Sequence, residues 1–163
     1  MPLLTTRQTR ATVRYTVLDS PIGPLLATAD DAGAVSGLWF DRAPAEGWQR
    51  DDDALAGLGD QLDAYFAGTL TRFDLPLAPV GTEWQRRVWD ALTDIPYGET
   101  VSYAELAARI GRPSACRAVG AANALNPISV IVPCHRVVGT SGSLTGYGGG
   151  LERKAWLLDH ERA

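Results

Sequence analysis

Cysteine and histidine are both scarce in this chain. Its 163 residues hold two of each, Cys116 and Cys134, His135 and His160. Two cysteines build no disulfide framework, and reduced thiols fit a cytosolic setting. No long uncharged apolar run is present, so no membrane-spanning helix is expected. The opening MPLLTTRQTR lacks the apolar stretch of a secretory leader, and a cytoplasmic location is expected. Repeats and low-complexity tracts are absent too. Acid is missing locally. The net charge is −4, yet no Asp or Glu occurs between Leu106 and Leu151, a stretch that carries Arg109, Arg112, Arg117 and Arg136. A local basic face on an acidic protein still holds a phosphate backbone, weakly and with strong salt dependence. A Gly/Ala-rich stretch that is acid-poor by chance has the same composition, so charge alone favours neither reading.

What is present reads as two halves of an α+β protein. In the first, residues 13–19, 25–28 and 35–40 are rich in β-formers and separated by the turn words Ser20-Pro21-Ile22-Gly23 and Asp30-Asp31-Ala32-Gly33. Leu55, Leu58, Leu62 and Phe66 recur at helical spacing over 53–66, and Gly68 ends that helix. A short strand is expected at 73–77, before a linker marked by Pro76, Pro79 and Gly81. No catalytic constellation is visible in this half, and its expected role is structural support.

The second half is helical. Thr82 caps a helix to about Asp94, with Trp84, Val88, Trp89 and Leu92 on its apolar side. Ser102-Tyr103-Ala104-Glu105 has the form of a capping box, so a helix is expected from Tyr103 to Gly111. After Arg112-Pro113-Ser114, Ser114 is expected to cap a second helix, 115–125. Two short helices around a tight Gly/Pro turn have helix-turn-helix geometry, though helix hairpins also occur in plain bundles. Around Arg117, the residues at helical spacing are Gly120, Ala121 and Ala124. A base-reading helix offers several Arg, Asn or Gln side chains to the major groove, and this one offers almost none. A bare face instead allows close approach of the helix backbone, either to DNA read by shape and phosphate or to another part of the protein.

The most informative stretch is Pro133-Cys134-His135-Arg136, after the apolar run 128–132. A thiol beside an imidazole at the edge of an apolar wall is a candidate nucleophile, although most free cysteines are small core hydrophobes. A free thiol has a pKa of about 8.5, and an apolar wall raises it, so something must favour the thiolate. In an extended segment neighbouring side chains point to opposite faces, and in a helix they also diverge, so His135 is expected to reach Cys134 through a bridging water. The imidazole needs an orienting acceptor. Glu152, Asp159 and Glu161 in the last helix, 151–161, are the candidates, and the spacing does not choose among them. His160 is expected to be simply exposed. The glycine-rich stretch 139–150 lacks the ending of a P-loop, and with its single aromatic it suits either a pocket wall for a flat ligand or a plain connector.

These words together closely resemble the O6-alkylguanine-DNA alkyltransferases, also called methylated-DNA–protein-cysteine methyltransferases. The matching words are Ile95-Pro96-Tyr97-Gly98, Ser102-Tyr103, Arg117-Ala118-Val119-Gly120, Asn126-Pro127, Ile131-Val132-Pro133-Cys134-His135-Arg136-Val137-Val138 and Thr145-Gly146-Tyr147-Gly148-Gly149. They run almost continuously from Gly81 to Glu161, with a weaker match at 19–25. The resemblance implies a ribonuclease H-like supporting domain with a short antiparallel sheet over 1–78. It implies a DNA-binding and alkyl-acceptor domain with a helix-turn-helix over 79–163. It implies direct-reversal repair of double-stranded DNA: an alkylated guanine is flipped out, because its reacting carbon is unreachable in the stack, and the alkyl group moves irreversibly to the protein. Cys134 is then the acceptor, His135 its base through a water, and Glu161 the residue that orients His135. Tyr103 assists departure of the guanine, and Asn126 holds the turn before the active-site segment. Arg117 enters the gap left by the flipped nucleotide, with Tyr103, Ala118, Gly120, Ala121, Asn123 and Arg136 also on the DNA side. Val137, Tyr147 and Gly148 line the base pocket. No cofactor, no metal, no membrane and no obligate protein partner are implied, and a monomer is expected. Alkylthymine as a second donor and cooperative binding along DNA are left open.

Cys116 departs from the family's usual Ala and is expected to be inert. Zinc sites known in the N-terminal domain of some relatives are not expected here, since the first half has neither Cys nor His. Two rival readings stand beside this one: a helix-turn-helix regulator or lesion sensor without chemistry, and a turnover hydrolase built on a Cys/His pair. The bare second helix speaks against the regulator, and adjacency of Cys134 and His135 against a conventional dyad.

Overall fold

The computed structural model describes residues 12–163, so the leader expectation, which rests on the first residues, lies outside the described part. Three antiparallel strands form the front sheet: β1 Arg14–Leu18, β2 Leu25–Ala29 and β3 Val35–Phe40. β2 lies between the other two and is buried along its whole length. A short fourth strand, β4 Gln49–Arg50, pairs parallel to β1, so the sheet is mixed rather than purely antiparallel. Two exposed polar residues give no periodicity, and this strand was not legible in the sequence.

Helix α1, Ala56–Phe66, packs Leu58, Leu62 and Tyr65 inward. It begins three residues later than the apolar spacing predicts, with Leu55 at the N-cap and no side-chain cap. The strand expected at 73–77 reduces to a single bridge between Val35 and Leu77. Pro76 there has no N–H to donate, which limits pairing.

Helix α2, Glu83–Thr93, has the predicted Thr82 cap. Thr82 Oγ1 accepts from Gln85 N, and Gln85 returns a bond to Thr82 N. A short strand β5, Val101–Ser102, leads into helix α3, Tyr103–Arg109. Ser102 accepts from Glu105 N as predicted, while no return bond from the Glu105 side chain forms among the described residues. Helix α4 is Cys116–Ala124. Its N-cap is Ala115 without a side-chain bond, so Ser114 does not cap it; Arg112 O already accepts from Ala115 N and closes the turn. Strand β6, Val137–Val138, pairs parallel to β5, and α5, Leu151–Arg162, closes the chain.

One continuous apolar core runs through both halves, from Leu25, Leu38 and Leu62 to Trp89, Val119, Ile128 and Leu157. The free edge of β3 ties them together. Leu38 N donates to Pro127 O and Leu38 O accepts from Ser129 N, while Val35 exchanges bonds with Pro76 and Ala78. The segment before Cys134 is therefore hung on the first half's sheet. Indole groups on α2 fix α4 in turn: Trp89 Nε1 donates to Ala122 O and Trp84 Nε1 to Ala118 O.

Candidate active site

The apolar run 128–132 folds as a tight turn. Val130 sits at φ +71°, a left-handed conformation that is strained for a β-branched side chain. The Asn126 carboxamide holds this turn. Its Oδ1 accepts from Ile128 N at 3.0 Å and its Nδ2 donates to Val132 O at 2.8 Å. The bracket delivers Cys134 to the head of a 3-10 turn, Cys134–Arg136, in which all three side chains are buried.

Tertiary contacts single out Glu161 among the three acids in α5. It is buried, and four donors converge on it. His135 Nε2 and Tyr65 OH each donate to Oε2 at 2.9 Å, and Arg136 donates from Nε to Oε1 at 2.7 Å and from Nη2 to Oε2 at 2.9 Å. Burial alone would raise its pKa; the bonds from His135 and Arg136 outweigh burial and bring it to about 2. Gly98 makes room for this end of α5. At φ +80° it lies so close that a Cβ would be 3.1 Å from Glu161 O.

An ionised Glu161 fixes the histidine tautomer. Its oxygen only accepts, so His135 carries its proton on Nε2 and leaves a lone pair on Nδ1. His135 is wholly buried, burial holds its pKa below the usual imidazole value, and Nδ1 has no partner among the described residues. The site thus holds a neutral imidazole with one nitrogen anchored and the other free to take a proton.

Cys134 is 5% exposed. Burial pushes its thiol up, while the Asn126 side chain and the Lys154 ammonium pull it down. Lys154 was missed by sequence reading, where a lysine on an amphipathic helix reads as solvated. It is fully buried, and its Nζ donates to Val137 O at 2.6 Å and to Thr145 O at 2.8 Å. Tyr65 was missed as well: it is a core residue of α1 whose hydroxyl reaches Glu161, so the first half contributes to the site as well as supporting it.

Pairing of β5 with β6 sets Val101 against Val137 and Ser102 against Val138, which brings the start of α3, and so Tyr103, beside the Cys134 segment. Tyr103 OH accepts from Thr145 Oγ1 at 3.3 Å. Tyr147 packs edge-on to Phe40, and its hydroxyl is buried without a partner. Asn123, Asn126, Ser129, Cys134, Tyr147 and Gly148 line a crevice of about 20 Å³. That volume holds about one water and no purine. The larger clefts, about 670 and 650 Å³, do not include Cys134.

On α4, Arg117, Ala118, Ala121 and Ala124 are exposed and Gly120 is half-buried. None of the described residues covers the bare face, which speaks against internal packing as the reason for its small residues. A Cβ on Gly120 would make only ordinary contact with Tyr103. Arg117 makes no hydrogen bond or ion pair among the described residues. Two residues expected on the DNA side are elsewhere. Arg136 is buried between Glu161 and Ile95 O, because the carboxylate beneath it needs a compensating charge. Asn123 is buried and faces the crevice. His160, expected to be exposed, is half-buried; its Nε2 bonds Tyr65 O at 2.7 Å and its ring stacks on Trp156. Cys116 is exposed.

Fold and site together define a helix-turn-helix protein with a buried thiol set next to a histidine–carboxylate pair. Residues 13–79 match the family described as 6-O-methylguanine DNA methyltransferase, ribonuclease-like domain, and residues 83–163 match its DNA binding domain. The chain is 54% identical over 153 residues to a methylated-DNA–protein-cysteine methyltransferase of Mycolicibacterium paratuberculosis, covering 92% of this chain and 93% of the relative. Its counterpart in Methanosarcina acetivorans is 49% identical over 152 residues, covering 90% and 97%. A crystal structure of Mycobacterium tuberculosis O6-methylguanine methyltransferase superposes with a TM-score of 0.86 at 52% identity, covering 93% of each chain. One of Mycobacterium tuberculosis OGT in complex with DNA gives 0.87 at 54%, covering 92% and 93%. The chain belongs to the 6-O-methylguanine DNA methyltransferase family.

Proposed function

We propose that this protein repairs duplex DNA by direct reversal, moving the alkyl group of an O6-alkylguanine to its own Cys134. The observation that carries the reading is the free Nδ1 of His135, held neutral in the same 3-10 turn as the thiol while Glu161 anchors Nε2. Through a bridging water, Nδ1 takes the thiol proton and the sulfur attacks the alkyl carbon. The carbon–O6 bond breaks, a thioether forms, and the departing guanine takes up a proton, a step the Tyr103 hydroxyl would assist. Lys154 offsets the charge on sulfur while it is anionic. Nothing in this sequence of steps regenerates the thiol, so each molecule reacts once, and no cofactor is required.

The DNA partner fits α4, whose exposed small residues let its backbone approach a groove without reading bases. Arg117 would fill the gap left by the extruded nucleotide. Entry of a purine requires the crevice lining to open, because the crevice as it stands holds only a water-sized volume.

The test is incubation with duplex DNA carrying labelled O6-methylguanine. Label is expected on the Cys134 peptide at no more than one equivalent per molecule, and Cys134→Ser should abolish transfer while DNA binding persists. Absence of label overturns the reading in favour of a lesion-binding protein, and repeated turnover overturns it in favour of a hydrolase.

A further inference from the structure

Asn123, in the last turn of α4, and Asn126, just beyond its end, are both buried, yet their amides behave differently. Asn126 bonds the chain through both ends of its amide. Asn123 makes no side-chain hydrogen bond among the described residues, and its Oδ1 is buried without a partner. A buried polar atom left unpaired is destabilising, so a stably folded chain needs a reason to keep it. Its neighbours on α4, Ala121 and Ala124, are exposed, whereas Asn123 turns inward and lines the crevice that holds Cys134.

Resting on the alkyl-transfer reading, we propose that Asn123 recognises the extruded base, its carboxamide hydrogen-bonding the ring edge of the alkylated nucleobase as the base enters beside Cys134. An amide presents a donor and an acceptor together. An alkylated guanine offers the complement, since its ring nitrogens accept and its exocyclic amine donates. The amide brings both a donor and an acceptor to this position under either assignment of its O and N. A site that hydrogen-bonds its substrate discriminates more sharply than an apolar slot, because a ligand lacking the group leaves the site's own polar atom unpaired. An amide also carries no charge to compete with the sulfur anion. Asn123 is therefore a specificity-determining residue of the base pocket, distinct from the DNA-facing residues of the same helix.

The experiment uses the full chain, with Asn123→Leu and Asn123→Ala. Three rates are compared with wild type: transfer from O6-methylguanine in duplex DNA, transfer from free O6-benzylguanine, and labelling of Cys134 by iodoacetamide, which has no base edge. Peptide mass separates Cys134 from Cys116, and melting temperature is measured alongside. Both base-dependent rates are expected to fall roughly tenfold, iodoacetamide labelling to stay within about twofold, and the melting temperature to hold or rise. Base-dependent rates equal to wild type overturn the assignment. So do a lowered melting temperature and loss of all three reactions together, which would make Asn123 a scaffold residue. Wild-type protein that transfers no label from methylguanine overturns the alkyl-transfer reading instead.

Discussion

The Lys154 ammonium donates to the Val137 carbonyl at 2.6 Å from a position with no solvent exposure. It pins strand β6 to α5 and, through Thr145 O, gathers the glycine-rich loop to the same point. Lys154→Met keeps the length of the stem and deletes the charge. Two carbonyls lose their donor, at about 1–3 kcal/mol for each left unsatisfied, partly offset because no charge is buried. Transfer at neutral pH is expected to fall roughly tenfold with the attraction that favours the thiolate. Iodoacetamide labelling of Cys134 across pH should shift to the alkaline side; an unshifted profile would show that the ammonium acts on packing alone.

Burial holds the His135 pKa below the usual imidazole value. The imidazole then remains a base at pH values where a free histidine is protonated. The acid limb of the transfer rate should accordingly lie below about pH 6.5. A limb centred at or above that value, measured by single-turnover transfer from labelled duplex, would contradict the geometry.

Stability should share this acid sensitivity. The folded pKa of Glu161, about 2, lies below its unfolded value, so its contribution is complete above about pH 4.5 and is lost as pH falls towards 2. The lowered His135 pKa has the same sign: below about pH 6.5 the unfolded chain binds a proton that the folded chain refuses. Urea midpoints should therefore decline from pH 6.5 downwards and fall most steeply below 4.5. In Glu161→Gln the lower step should vanish. This variant leaves the buried Arg136 uncompensated, with an expected loss of about 3–5 kcal/mol.

Arg117 is exposed on α4, away from the crevice lining. Arg117→Ala should impair repair in duplex DNA while reaction with free O6-benzylguanine stays near wild type, because only the duplex has a stack to hold open. Equal losses on both substrates would move the residue's role from the extruded state to the pocket. Together with the Asn123 variants, this separates the two sides of one helix.

Local signals carried much of the fold. The Thr82 cap, the Ser102 cap and the β-forming run of β3 each depend on neighbours a few residues away, and each reads correctly. What escaped depends on distant partners. The turn before Cys134 carries no local signal, because its apolar run is folded by Asn126 and by pairing to Leu38, 90 residues upstream of Ile128. Tyr65 and Lys154 carry no periodic mark that distinguishes them from an ordinary core tyrosine and an ordinary surface lysine. Arg136 was expected on the DNA side, and only the position of Glu161 reveals that its charge is needed inside. The thiol-imidazole pair Cys134-His135 stood out in the residues themselves, and the family resemblance chose Glu161; the tautomer, and with it the direction of proton flow, required coordinates.

The turn that presents the sulfur completes its hydrogen bonding against the rim of the other half's pleated sheet, at Leu38. Severing the two halves would strip that turn of a partner on each side of Ile128, one turn of chain from the thiol. Reactivity is thus a property of the docked pair, and a truncated second half that still bound DNA would hold its cysteine out of register with any base it captured.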